Sequence, residues 1–142
     1  MAKMIDCNLP TVAELIGPRF DAAYRRAAEL CALEAGWDGA LAVEVSRASV
    51  EIALKLVADL CCNECLLPVL SPTVDGHVLL DWTFGSEHVE IEVHPDGCLD
   101  VLVDLPDYRD HEFVTDTSDE NALGWLAHLV TGVGVSRFNV PS

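Results

Sequence analysis

The fold is decided by residues 78–104, which read VLLDWTFGSEHVEIEVHPDGCLDVLVD. Apolar and polar residues alternate along this stretch, and a period of two is typical of a β-strand that buries one face. Two breaks, one at Gly85 and Ser86 and one ending at Gly97, divide the stretch into three strands. Glycine suits the positive φ that hairpin turns require. The pattern therefore predicts an antiparallel meander.

The turn lengths also predict how the three strands pair. A two-residue turn aligns the first strand with the second, and a three-residue loop over residues 95–97 aligns the second with the third. A slip of one residue would bury Asp100 and Asp104 in the core. The predicted apolar pairs are therefore Trp82 with Val89, Leu80 with Ile91, Val78 with Val93, Leu99 with Val93, Val101 with Ile91 and Val103 with Val89.

Before the meander, apolar residues recur at helical spacing. They predict one helix over residues 20–35, followed by a turn over residues 36–39. They also predict a second helix that begins after the N-cap Ser46 and is closed by Pro68 and Pro72.

After the meander, a fourth strand is expected near residues 112–115. Thr117 and Glu120 form a capping box, which predicts a C-terminal helix behind it. The whole prediction is a single α+β domain over residues 1–142. It has two N-terminal helices, a three- to four-stranded antiparallel meander, and a C-terminal helix packed on one face of the sheet.

The same register assigns acidic side chains to the outward face of the sheet. Asp81 is predicted to lie opposite Glu90, and Glu92 opposite Asp100. Like charges placed directly opposite each other destabilise a sheet, and no lysine is interleaved among them. We therefore predict a partner-binding surface on this face, composed of Asp81, His88, Glu90, Glu92, Asp100 and Asp104.

The charge of the chain is asymmetric. The 142 residues include 8 Lys+Arg and 24 Asp+Glu, a formal net charge of −16, and residues 56–142 hold 2 of the basic and 16 of the acidic residues. This balance argues against direct binding of nucleic acid, which depends on Lys and Arg at the phosphates. It favours encounter with a basic protein, such as the nucleic-acid-binding groove of a partner. A surface that is acidic only for solubility is the alternative.

The sequence predicts a cytoplasmic protein with reduced thiols. No apolar segment follows Lys3 as in a secretory signal, and no uncharged stretch is long enough to span a bilayer. Cys62-x-x-Cys65 lacks the second cysteine pair of a structural zinc site. The six cysteines are therefore interpreted as thiols that form neither a disulfide framework nor a metal site.

A second interpretation of the outward face is a metal-binding module or a metal-dependent enzyme. Its candidate ligands are His88, His94 and Asp104, with Cys98 beside them, and such ligands suit zinc, manganese or iron. Alternate residues of one strand lie about 7 Å apart, so a single ion would need ligands from a neighbouring strand. A scaffold that self-associates through Leu79 and Leu102 is a third possibility.

Catalytic motifs are missing from the sequence. It holds no nucleophile elbow, phosphate-binding loop, dinucleotide fingerprint or zinc-protease helix motif. The leading prediction is therefore a non-enzymatic protein without a cofactor.

Three stretches combine turn motifs with core positions: GWDG at 36–39, SPTVDGHVLLDW at 71–82 and VEIEVHPDG at 89–97. Together they resemble a loose group of small prokaryotic and phage-borne proteins of unknown function. The resemblance covers about the middle half of the chain and implies a fold rather than an activity. By analogy with small acidic proteins of mobile elements, it implies an inhibitor that masks its partner, of the antitoxin or anti-CRISPR kind.

Overall fold

In the computed structural model of the chain, residues 20–61 and 66–133 are described. They form an α+β fold with three helices and five strands. The predicted fold class is confirmed, but the sheet has more strands than the three or four predicted. In chain order the elements are α1 (Asp21–Cys31), α2 (Arg47–Leu60), β1 (Val69–Pro72), β2 (Val78–Phe84), β3 (Glu87–Val93), β4 (Cys98–Leu105), β5 (Tyr108–Asp116) and α3 (Glu120–Gly132).

The five strands form one antiparallel sheet in the order β1-β2-β3-β4-β5, so each strand pairs with its neighbours along the chain. The predicted register of β2, β3 and β4 is confirmed at every pair. Gly85 and Gly97 have φ angles of +61° and +92°, as the two hairpin turns require. The resulting inner face is apolar, and its central residues are at most 3% exposed: Val78, Leu80, Trp82, Val89, Ile91, Val93, Leu99, Val101 and Val103.

The helices cover this inner face. Leu30 of α1, Leu54 of α2 and Leu126 of α3 belong to one hydrophobic cluster with the inward side chains of the strands. α2 contacts α1, α3 and strands β2 and β3, so it is the centre of the helical layer. The opposite face of the sheet, called the outer face below, carries half-buried and exposed side chains of β2, β3 and β4.

The predicted ends of the first two helices are wrong. α1 ends at Cys31 rather than at residue 35. The chain then turns into a loop in which the N–H of Gly36 donates to the carbonyl oxygen of Ala42, and the Asp38 carboxylate holds the same loop. Its Oδ1 accepts hydrogen bonds from the backbone N–H groups of Ala40 and Ala42. α2 begins after the predicted N-cap Ser46 but ends at Leu60, well before the two prolines expected to close it.

The number of strands also differs from the prediction. β1 was not predicted because its sequence, VLSP, is too short to show alternation and ends in a proline. A proline is tolerated on an edge strand, and β1 lies at the edge of the sheet, where Leu70 pairs with the buried Leu80.

β5 is longer than the predicted strand near residues 112–115. Its first five residues are exposed, so they lack the apolar alternation that marks a strand in sequence. The N-cap of α3 is Asp119 rather than Thr117, since the Asp119 side chain accepts a hydrogen bond from the N–H of Ala122.

The turn between β1 and β2 depends on a glycine. Gly76 has a φ of +84°, and a Cβ built there would lie 2.7 Å from the carbonyl oxygen of Glu44 and 2.8 Å from a methyl of Val43. Its carbonyl oxygen accepts a hydrogen bond of 2.7 Å from the N–H of Ser46. This turn therefore packs directly against the segment that leads into α2.

We expect Gly76→Ala to lower the free energy of unfolding by about 2–5 kcal/mol, from left-handed strain and overpacking together. Gly85→Ala is the matched control, because Gly85 also has a positive φ but has no atom within 4 Å of an added Cβ. That variant should lose only the strain, about 1–2 kcal/mol. Urea unfolding of both variants measures the difference, and equal losses would contradict the close approach at Gly76.

Candidate functional site

The outer face brings the six predicted partner-binding residues together. Asp81 lies opposite Glu90 across β2 and β3, and Glu92 lies opposite Asp100 across β3 and β4. His88 lies opposite Asp104 in the same sheet. All six residues are half-buried.

Few positive groups offset these carboxylates. Residues 69–116 contain twelve acidic residues and one Lys or Arg, Arg109. Arg109 approaches the face at one corner, where its Nη1 lies 3.5 Å from Asp104 Oδ1. The negative potential of the remaining face is therefore not neutralised by fixed cationic side chains of the sheet.

One polar cluster lies around His88. Its Nδ1 is 2.8 Å from Thr83 Oγ1, and the Thr83 hydroxyl donates a hydrogen bond of 2.5 Å to Asp81 Oδ1. The His88 Nε2 is 3.4 Å from Glu90 Oε1. The imidazole thus lies between the two opposed carboxylates of Asp81 and Glu90.

A second polar cluster lies at the other end of β3. His77, one residue before β2, places its Nδ1 2.7 Å from Glu92 Oε2. His94, one residue after β3, places its Nε2 2.8 Å from Asp100 Oδ2. The two imidazole rings are in contact, with centroids 4.2 Å apart.

The structure separates His88 from His94, the two histidines among the metal ligands predicted from sequence. His88 and His94 are six residues apart along an extended strand, about 20 Å. They therefore cannot share an ion, and each belongs to a different cluster of ligand atoms. The prediction lacked His77, which lies beside His94 when the β2–β3 register is continued by one residue at each end.

A shallow depression of about 380 Å³ lies on the outer face between β3, β4 and β5. Leu102 and Val114 contribute apolar surface to it, and Val114 is 69% exposed. Carboxylates surround these aliphatic groups, including Glu112 of β5. Glu112 was not among the predicted partner-binding residues, because the sequence does not fix the register that places it opposite Leu102. The acidic side chains that line the depression are Glu90, Glu92, Asp100 and Glu112.

Two pKa values near the end of the face are shifted. Partial burial raises the pKa of the Cys98 thiol, and the negative charges of Asp100 and Asp96 raise it further. Hydrogen bonds from the Ser118 hydroxyl and backbone N–H lower the pKa of Asp116. Cys98 is therefore a protonated thiol at neutral pH and a poor nucleophile. Cys62 and Cys65 lie outside the described residues.

None of the described helices has the length and hydrophobicity to cross a membrane. Comparison of the chain with protein-family models, with curated proteins and with solved structures finds no match. The resemblance to the loose group of phage-borne proteins therefore stays a prediction. Function has to be argued from the outer face itself.

The opposed carboxylates should cost stability. We expect Glu90→Gln to raise the free energy of unfolding at low salt by about 0.2–1 kcal/mol, because it removes the repulsion with Asp81. Added salt screens that repulsion, so the gain should shrink as salt is raised. Urea unfolding at low and high salt measures both effects.

Glu29→Gln on α1 is the control for this experiment. Glu29 Oε1 lies 3.1 Å from Arg26 Nη1, so its charge is attracted rather than repelled and its removal should bring no gain. An equal gain in the two variants would mean that the general charge of the chain, not the pairing on the outer face, costs stability.

Proposed function

We propose that this chain is a non-enzymatic binding protein whose outer face docks onto a basic, nucleic-acid-binding surface of a partner protein and masks it. The observation that carries the proposal is the pairing of like charges on a sheet, Asp81 with Glu90 and Glu92 with Asp100. Such pairs oppose folding, and a partner rich in Lys and Arg would relieve them on binding.

The arrangement favours docking over solubility as the reason for the charge. Solubility requires acidic residues on the surface but does not require them opposite one another at half-buried positions. The face also carries exposed aliphatic groups, since Val69 of β1 is 64% exposed and Val114 of β5 is 69% exposed. Protein interfaces combine apolar contact area with a polar rim, and this face offers both.

The rigidity of the sheet supports tight masking. The carboxylates of β3 and β4 are held by backbone pairing on both sides of each strand, so little ordering of the chain is needed on binding. Glu90 and Glu92 lie about 7 Å apart along β3, the central strand of the sheet. A groove that binds phosphates with Lys and Arg would meet a preformed row of negative charges, and nucleic acid would be excluded from it. Such a protein acts in the cytoplasm as an antitoxin or an inhibitor of host defence.

The test uses charge reversal on the face. Wild-type protein and Glu90→Lys/Glu112→Lys are immobilised, exposed to native host extract at low salt, and eluted with a salt gradient. We expect the wild type to retain a nucleic-acid-binding protein that added nucleic acid displaces. The reversed variant should lose at least about ten-fold in affinity for that purified protein, mainly through slower association.

A second reversal, Glu51→Lys/Asp59→Lys, serves as the matched control. Both residues lie on α2 in the helical layer, and the variant has the same net charge as the reversed face. Equal affinity of the two variants for the purified partner would overturn the outer face as the interface. Retention that depends on net charge alone would leave solubility as the explanation of the acidic residues.

A further inference from the structure

The contact between His77 and His94 is not explained by docking to a basic partner. The two imidazoles are adjacent, and both are only partly exposed, with 19% and 25% of their side-chain areas accessible. Among the described residues, the ion pairs of these two rings do not involve Lys or Arg. Instead each ring is held by a carboxylate, His77 by Glu92 and His94 by Asp100.

We propose that His77, Glu92 and His94 bind a divalent transition-metal ion, with Zn²⁺ as the best match. One ligand atom from each residue lies within 4.8 Å of the other two. In a tetrahedral zinc site, ligands at 2.0–2.1 Å from the ion are roughly 3.3 Å apart. The 2.7 Å between His77 Nδ1 and Glu92 Oε2 is already near that spacing. The ion would take the place of the proton that these two atoms share.

The neighbours of the three residues supply what such a site needs around it. The Asp100 carboxylate lies 2.8 Å from His94 Nε2, and a carboxylate hydrogen-bonded to one ring nitrogen orients a histidine that binds metal through the other. Cys98 lies opposite His94, and the backbone N–H of His94 donates a hydrogen bond to the Cys98 carbonyl oxygen. His94, Cys98 and Asp100 form a second group whose ligand atoms lie within 4.8 Å of one another. This second group is separate from the first, so water would complete the coordination of an ion held by His77, Glu92 and His94.

The ligand types select the class of ion. Two imidazoles favour zinc and its transition-metal neighbours, whereas Mg²⁺ and Ca²⁺ prefer sites made of oxygen atoms alone. The cluster around His88 is a weaker candidate, because it has one imidazole and its Nδ1 is already engaged by Thr83. A cation between His77 and His94 would also offset the opposed charges of Glu92 and Asp100.

The experiment titrates chelator-treated, reduced protein with Zn²⁺ and follows binding by calorimetry. The background is Cys62→Ser/Cys65→Ser, since these thiols could bind zinc on their own. We expect one ion per chain. His77→Ala and His94→Ala should each weaken binding at least about ten-fold, and Glu92→Gln should also weaken it. His88→Ala, on the same strand and face, should bind as the parent does.

A measurement on the parent protein avoids dependence on the folding of the variants. Co²⁺ is added to isotope-labelled protein, and paramagnetic shifts of the resonances are mapped onto the sequence. Shifts centred on residues 77, 92 and 94 support the site. Shifts centred on His88, displacement of Zn²⁺ by an equal concentration of Mg²⁺, or equal affinity in His77→Ala and the parent would overturn it. The docking function does not enter this experiment, so either proposal can fail alone.

Discussion

The alternation of side chains along the meander is the constraint on which the rest of this protein depends. Because successive residues of a strand point to opposite faces, burial of Leu80, Ile91 and Val101 fixes the direction of every residue between them. The acidic residues cannot move apart by a change of register, since a slip of one position would exchange the two faces and bury Asp100. The core therefore fixes which positions face outward, and the acidic residues at those positions lie opposite one another once the sheet has formed.

The helices complete this division of the sheet. All three contribute to the cluster on the inner face, and the outer face keeps its half-buried carboxylates and exposed valines. The two proposed sites extend in different directions on that face and share Glu92. The depression near Leu102 and Val114 lies towards β5 and offers contact area to a partner, while the His77–His94 contact lies where β2 begins and β3 ends. One sheet face thus carries both a broad acidic surface and a small group of ligand atoms.

The parts of this arrangement that the sequence predicted are those that follow from local rules. Turn length and period set the register of β2 to β4, and the opposed acidic pairs follow from that register alone. The end of α1 was mispredicted because the N–H of Gly36 donates to the carbonyl oxygen of Ala42 rather than to one in the helix, a hydrogen bond that periodicity does not show. β1 and the first half of β5 were missed because tertiary pairing, not apolar alternation, holds them in the sheet. The contact of His77 with His94 was not predicted, because both residues lie one position beyond the regular pairing of β2 with β3.

The two proposed sites are linked through the potential that they share. Glu92 borders the depression and also belongs to the proposed ligand set, so a cation bound there would lower the negative potential that a basic partner meets. Linkage makes this effect reciprocal: a partner that places Lys or Arg near Glu92 would weaken the metal by the same factor by which the metal weakens the partner. The coupling decays over about 10 Å at 0.1 M salt, and Glu90 lies within that distance of Glu92. The proposed coupling needs no change in backbone structure, because it acts through the electrostatic potential alone.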